Sequence, residues 1–109
     1  MKNLLILILL FSFNVNASSV EPTKITKILV GPAYGNNVLI TVSNKATDTP
    51  ECQTNNNYQY AFDGSTESGK MTLSVVLAAY ASKKDVWLGG YDRCDVFSGT
   101  ESLKHIVAK

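Results

Sequence analysis

The stretch from Phe62 to Tyr91, FDGSTESGKMTLSVVLAAYASKKDVWLGGY, decides the fold because one long helix signal runs into a strand signal there. Apolar side chains recur at the i, i+3, i+4, i+7 spacing of a helix face, namely Leu73, Val76, Leu77 and Tyr80. Ser65 or Thr66 can cap the first turn, and Lys83 and Lys84 suit the negative end of the helix dipole. The stretch therefore predicts a helix between Thr66 and Ser82.

Apolar and small residues cover most of the girth of this helix. Met71, Val75 and Ala78 continue the apolar surface beyond the first face. A helix of that kind is expected to make contacts on more than one side. Val86 to Leu88 then has strand composition, and Gly89-Gly90 is expected to end or bend that strand.

The first residues have the composition of an export signal. Lys2 supplies the positive charge, Leu4 to Phe13 is apolar, and Val15-Asn16-Ala17 provides small residues for cleavage after Ala17. An apolar run of this length is too short to cross a bilayer core of about 30 Å as a helix. The sequence therefore predicts a signal peptide at 1–17, a single domain at 18–109, a periplasmic or secreted location and no stable membrane insertion.

The charge balance excludes one class of partner. The chain has 10 Lys and Arg against 9 Asp and Glu, and removal of Lys2 makes the two counts equal. Nucleic-acid binding relies on an excess of basic residues, so we expect no nucleic-acid partner.

The two cysteines, Cys52 and Cys94, have only one possible pairing. In an exported chain an even number of cysteines predicts a disulfide. A loop of that length lowers the unfolded-state entropy by about 4 kcal/mol in the chain-entropy model. The alternative, a two-thiolate metal site, has His105 as its only histidine and no C-x-x-C pair, so we predict no metal and no cofactor.

Strand-like composition recurs on both sides of the helix. The predicted strands are Ile25–Val30, Val38–Val42, Tyr58–Phe62, Val86–Leu88 and Leu103–Ala108. The order β-β-β-α-β-β predicts a mostly β α+β domain, a small five-stranded partly open barrel covered or plugged by one helix. An α+β meander with the helix on one face is the alternative. Ser18–Thr23 is expected to be a loose lead-in.

No catalytic motif frames the nucleophiles or bases of this chain. His105 lies in a predicted strand, and no serine has a G-x-S-x-G context. Asp63 and Glu67 are explained by the helix dipole. We therefore predict no catalytic residue and no enzyme activity, with a small hydrolase using His105 as a minor alternative.

Aromatic residues next to polar loops are the best candidates for ligand binding. We select Tyr34, Trp87, Tyr91 and Asp92. Flat aromatic faces beside Asn, Asp and Ser side chains suit a sugar or a peptide. Tyr34 and Tyr91 lie in predicted loops and are expected to be the more exposed.

The segment LSVVLAAYASKKDVWLGGYDRCD, preceded by YQYAFDGS and by Pro50-Glu51-Cys52, resembles small exported bacterial proteins of unassigned function. It is also similar to the binding subunits of pentameric A-B toxins of the subtilase cytotoxin and pertussis-like groups. That resemblance implies an OB-type barrel, binding of sialylated glycans and a homopentamer whose helices line a pore. Because the serine of their glycan pocket has no position that we can assign here, the resemblance assigns no binding residue.

The sequence thus favours an exported, non-enzymatic, OB-like binding module for a glycan or a partner protein. The alternative is an interaction, inhibitor or immunity-type protein that acts on a secreted partner.

Overall fold

The computed structural model describes residues 17–109, so the predicted signal peptide lies outside the described residues except for Ala17. The elements are β1 (Ser19–Thr23), β2 (Ile25–Leu29), β3 (Asn37–Val42), β4 (Tyr60–Asp63), α1 (Glu67–Ser82), β5 (Val86–Gly90) and β6 (Glu101–Ala108). A short 3-10 turn, Pro32–Tyr34, precedes β3. Within this part of the chain, α1 is neither long nor apolar enough to cross a membrane.

The predicted helix is confirmed, including its first and last turns. Thr66 is the N-cap, and its hydroxyl accepts a hydrogen bond from the Gly69 amide at 2.9 Å. Lys83 ends the helix in the left-handed conformation, with φ of 56°, and its amide bonds back to the carbonyl of Ala79. The local signals in the sequence were therefore sufficient to place this element.

All six strands form one sheet, in the order β1-β5-β6-β4-β3-β2. Neighbours are antiparallel except β4 and β6, which run parallel. The strands at the two ends of this order, β1 and β2, are separated along the chain only by Lys24. The mostly β α+β class with a single helix is confirmed for the described residues, and the prediction of five strands is wrong.

The additional strand is β1, which the sequence analysis assigned to a loose lead-in. Val20 pairs with Leu88 of β5, and Val20 and Thr23 are buried. The segment looks irregular because Glu21 and Pro22 interrupt it, and both are exposed. Its order comes from β5, which lies far away in sequence, so the local composition of β1 carried no signal of its pairing.

The helix packs on the sheet with one side only. Val76 and Ala79 are buried in the main apolar cluster, and α1 contacts β6 and β2. Met71 is 69% exposed and Leu77 is 49% exposed. Within residues 17–109 the expectation of contacts on more than one side is therefore not met, because the sheet lies against one face of the helix and no other element of this part of the chain covers the opposite face.

Cys52 and Cys94 form the predicted disulfide, with Cα atoms 6.0 Å apart. Among the described residues no free cysteine remains, so the alternative of a thiolate metal site is wrong. The bond joins the long polar segment before β4 to the loop between β5 and β6. Backbone hydrogen bonds from Thr54 and Asn55 to the Gly99 carbonyl reinforce the same connection.

Three predicted strand boundaries differ from the structure by two residues, and one of them is the start of β6, which lies at Glu101 rather than Leu103. β4 begins at Tyr60 rather than Tyr58, because Tyr58 lies in the preceding irregular segment. β5 continues through Gly89 and Gly90, and its register with β6 shifts between them. Both glycines therefore belong to the strand, and they shift its register with β6.

Candidate functional site

A cleft of about 400 Å³ opens between the start of α1, the loop that follows β5, and β6. Its walls combine aromatic, charged and hydroxyl side chains. The residues that carry polar or aromatic groups there include Asp63, Thr66, Ser68, Tyr91, Arg93, Asp95, Ser102 and Lys104. Three separate parts of the chain thus contribute to one open, mixed-charge surface.

The helix can start at this cleft because residue 69 has no side chain. A Cβ atom at Gly69 would lie 1.8 Å from the carbonyl oxygen of Asp63, so only glycine lets the first turn lie this close to the end of β4. Asp63 in turn accepts hydrogen bonds from the hydroxyl of Ser65 at 2.6 Å and from its amide at 2.8 Å. Both bonds lower the pKa of Asp63, and the bond from the Ser65 hydroxyl has the larger effect. This rim of the cleft therefore carries a negative charge at neutral pH.

The opposite wall is an ordered group of side chains from the β5–β6 loop. Asp95 accepts from the Ser102 hydroxyl at 2.5 Å and from the Arg93 Nε at 2.7 Å. Both bonds lower the pKa of Asp95, and the bond from Ser102 has the larger effect. The carboxylate is therefore ionised at neutral pH. The guanidinium of Arg93 also lies over the ring of Tyr91, 4.4 Å from its centroid.

This arrangement holds an aromatic ring in place at the mouth of the cleft. Tyr91 is 43% exposed, and the stacked guanidinium limits the rotamers of both side chains. Arg93 and Lys104 offer donors, whereas Asp63 and Asp95 offer acceptors. A ligand with several hydroxyl groups and one apolar face could use the ring and both kinds of polar partner.

The four residues predicted to bind ligand are not brought together. Only Tyr91 lines the cleft. Tyr34 packs against Phe97, with ring centroids 5.8 Å apart. Trp87, on β5, donates to the Ser19 hydroxyl at 3.0 Å, and Asp92 lines a separate depression beside the disulfide. The sequence located one wall of the cleft and missed the others.

The residues that sequence reasoning missed fall into two groups. Arg93 and Asp95 follow Tyr91 at alternate positions, so the pattern Tyr-x-Arg-x-Asp was a usable signal for side chains on one face of an extended loop. Ser102 and Lys104 also alternate, but they belong to β6. Nothing in the sequence of β6 indicated which of its two faces meets the loop.

His105 has no hydrogen-bonding partner at its buried Nε2 among residues 17–109. Its ring packs edge-on against Trp87, with centroids 4.6 Å apart. Gly89 makes room for that ring, since a Cβ atom there would lie 2.3 Å from Cε1 of the imidazole. The hydrolase alternative needs a serine or carboxylate bonded to His105, and the described residues provide neither.

The part of the chain that the structure describes has no group of three or more histidine, cysteine or acidic side chains placed to hold a metal ion. Comparisons with family models, with curated proteins and with solved structures gave no match.

Proposed function

We propose that this protein is an exported, non-enzymatic binding module whose ligand is a glycan held in the cleft between α1, the β5–β6 loop and β6. The observation that carries the proposal is the Tyr91 ring, exposed at the cleft and stacked by Arg93. A sugar presents a flat C–H face that packs on such a ring, and its hydroxyl groups both donate and accept hydrogen bonds. The ionised carboxylate of Asp95 can accept hydrogen bonds from these hydroxyl groups, and the guanidinium of Arg93 can donate to them.

We further propose that the sheet is a partly open OB-like barrel. Two features support this fold. The two end strands of the sheet, β1 and β2, are consecutive in the chain and separated only by Lys24, so the two edges of the sheet meet there. In addition, β4 runs parallel to β6. In OB-folds the loop between the last two strands is one of the loops that bind oligosaccharides. Here the corresponding loop lies between β5 and β6 and contributes Tyr91, Arg93 and Asp95.

Export is supported by the Cys52–Cys94 disulfide, because such bonds form and persist in oxidising compartments. The signal peptide, its cleavage after Ala17 and the periplasmic or extracellular location remain part of the proposal.

A glycan array probed with the protein beginning at Ser18 tests the ligand class. We expect binding to a restricted set of glycans, and a loss of at least about tenfold in affinity for Tyr91→Ala and for Arg93→Ala, since one contact of about 1.4 kcal/mol corresponds to that factor. Tyr34→Ala is the matched control because Tyr34 lies outside the cleft. Binding that survives both cleft substitutions, or hydrolysis of the glycans, would contradict the proposal.

A second candidate function is self-association through the exposed side of α1. From Met71 to Ser82 the helix has no charged residue, so two copies would meet without charge repulsion. Its serine hydroxyl groups are already bonded to helix carbonyls, Ser74 to Lys70 at 3.1 Å and Ser82 to Ala78 at 2.7 Å. Removing water from this face therefore leaves few polar groups unpaired.

Light scattering at several protein concentrations tests this second candidate, with a second copy of the chain as the partner. A closed oligomer that dissociates in Ala78→Lys would support it, and the pentamer implied by the toxin resemblance is the specific expectation. A monomer at all concentrations would eliminate it and leave the glycan proposal unaffected. The inhibitor or immunity-type alternative would then be tested by pull-down of a secreted partner.

A further inference from the structure

Ser18, the residue just before β1, lies outside any strand, yet each of its polar groups makes a hydrogen bond to another part of the sheet. Its side chain and backbone are 2% exposed. The hydroxyl is 2.6 Å from the Tyr60 hydroxyl, and the carbonyl accepts from the Gly90 amide at 2.9 Å. The backbone nitrogen donates to Oε2 of Glu101 at 3.3 Å. Residues from β4, β5 and β6 thus fix one position at the beginning of the domain.

The carboxyl group of Glu101, which accepts this hydrogen bond, is fully buried and forms no ion pair within residues 17–109. Glu101 is 0% exposed, and its Oε2 also accepts from the Asp92 amide at 2.9 Å. Its Oε1 is buried without a hydrogen-bond partner, and none of the ion pairs in residues 17–109 includes Glu101. A buried carboxylate in this condition is costly unless a positive charge or further donors reach it.

The absence of a side chain at Gly90 makes space for the carboxyl group of Glu101. A Cβ atom at Gly90 would lie 2.2 Å from Oε2 of Glu101, so the strand opposite must have glycine at that position. The space beside Gly90 therefore fits the carboxyl group of Glu101. While Ala17 is still attached to Ser18, one oxygen of that carboxyl group, Oε1, has no hydrogen-bond partner.

We propose that cleavage of the Ala17–Ser18 peptide bond creates the missing partner, and that the α-ammonium group of Ser18 is the counter-ion of Glu101. Hydrolysis adds one water across that bond, giving a carboxylate on Ala17 and an amine on Ser18, which takes up a proton at neutral pH. A peptide nitrogen donates one hydrogen bond, whereas an ammonium group donates three and carries the charge that the carboxylate needs.

This proposal rests on the export and processing proposed above and not on the glycan ligand. It makes the position of cleavage a property of the folded domain. A chain that begins one residue earlier places its charge on Ala17, away from the nitrogen that meets Glu101. A chain that begins one residue later lacks Ser18, and with it the bonds to Tyr60 and Gly90.

The test compares the thermal midpoints of four proteins without any ligand. Two begin at Ser18 or at Ala17, each released from a fusion by a protease that leaves no additional residue, and the other two carry Glu101→Gln with the same two starts. We expect the Ser18 form to melt about 4–8 °C above the Ala17 form, the shift expected in a domain of this size for one modest interaction. In the Glu101→Gln pair the difference should largely disappear.

The proposal would be overturned if the Ser18 and Ala17 forms that keep Glu101 had equal thermal midpoints. It would also be overturned if the two forms differed by the same amount with Glu101 and with Glu101→Gln. Should Glu101→Gln fail to fold, the intact mass of the exported protein decides: a start at Ser18 is expected, and any other start contradicts the assignment. Because neither measurement involves a glycan, failure here is distinguishable from failure of the glycan proposal.

Discussion

The helix α1 and the first strand β1 show opposite relations between sequence pattern and structure. Every local signal for α1 is present, yet one side of it remains exposed, with Met71 at 69%. β1 has almost no strand pattern, yet Ser18 and Val20 beside and within it are buried and bonded to distant strands. The comparison teaches that a local pattern indicates where an element lies, whereas partners distant in sequence decide how firmly it is held.

The largest expected effect lies on the β1 side, at Gly90→Ala. The added Cβ would lie 2.2 Å from Oε2 of Glu101 and would displace the group that anchors Ser18. We expect a loss of about 3 kcal/mol or more in the free energy of unfolding, measured by urea denaturation. Gly31→Ala is the control, since a Cβ there meets nothing within 4 Å. Similar stabilities for the two variants would show that β1 is not anchored as described.

Val76→Ala and Met71→Ser compare the two sides of the helix. Val76 is fully buried, so its truncation removes apolar contacts and should lower the free energy of unfolding by about 2 kcal/mol. Met71 is exposed, and its replacement should change stability by no more than about 0.5 kcal/mol. The measurement is chemical denaturation at low protein concentration. A large loss for Met71→Ser that grows with protein concentration would instead indicate that the exposed side is covered by another copy.

Tyr60→Phe weakens the anchor of β1 by removing the hydroxyl that bonds to Ser18. An unpaired Ser18 hydroxyl in a buried site should lower the free energy of unfolding by about 1.5 kcal/mol at pH 7. Thermal denaturation at neutral pH measures this loss. Tyr34→Phe serves as a control for the removal of a tyrosine hydroxyl, because Tyr34 is only partly buried and its hydroxyl has no hydrogen-bond partner within residues 17–109.

The same variant carries a pH signature. Burial raises the pKa of Tyr60 from its ordinary value of 10.0 to about 12. The unfolded chain therefore releases this proton before the folded protein does, so the contribution of Tyr60 to stability is complete below pH 10 and declines as the pH rises towards 12. Stability profiles of the two proteins should converge over that interval. Parallel profiles would show that Tyr60 titrates normally.

The smallest effect is expected at the helix cap. Thr66→Ala removes the oxygen that accepts the Gly69 amide, and should lower the free energy of unfolding by about 1 kcal/mol. Thr66→Ser keeps the oxygen and should retain most of the stability. If Thr66→Ala costs more than Gly90→Ala, the helix and not β1 is the more firmly held element, and the comparison is reversed.

The sequence was informative wherever a structural cause lies within a few residues. Thr66 and Lys83 bound the helix, and the two cysteines, Cys52 and Cys94, allow only one disulfide within the chain. It was uninformative where a cause lies across the sheet. Gly89 and Gly90 make room for His105 and Glu101, whose positions depend on the pairing of β5 with β6. For the same reason the sequence located Tyr91 but not Ser102 or Lys104, which reach the cleft only through that pairing.

The position of β6 in the sheet has a consequence for biogenesis. This last strand along the chain lies between β5 and β4, and no other strand connects the pair β1–β5 to the group β4-β3-β2. A nascent polypeptide that has not yet released residues up to Ala108 lacks the strand that pairs with both β5 and β4, so the two parts of the sheet are connected through the backbone, at Lys24 and through α1, but not by strand pairing. The complete sheet therefore forms only after β6 has been released, which delays compaction of the domain.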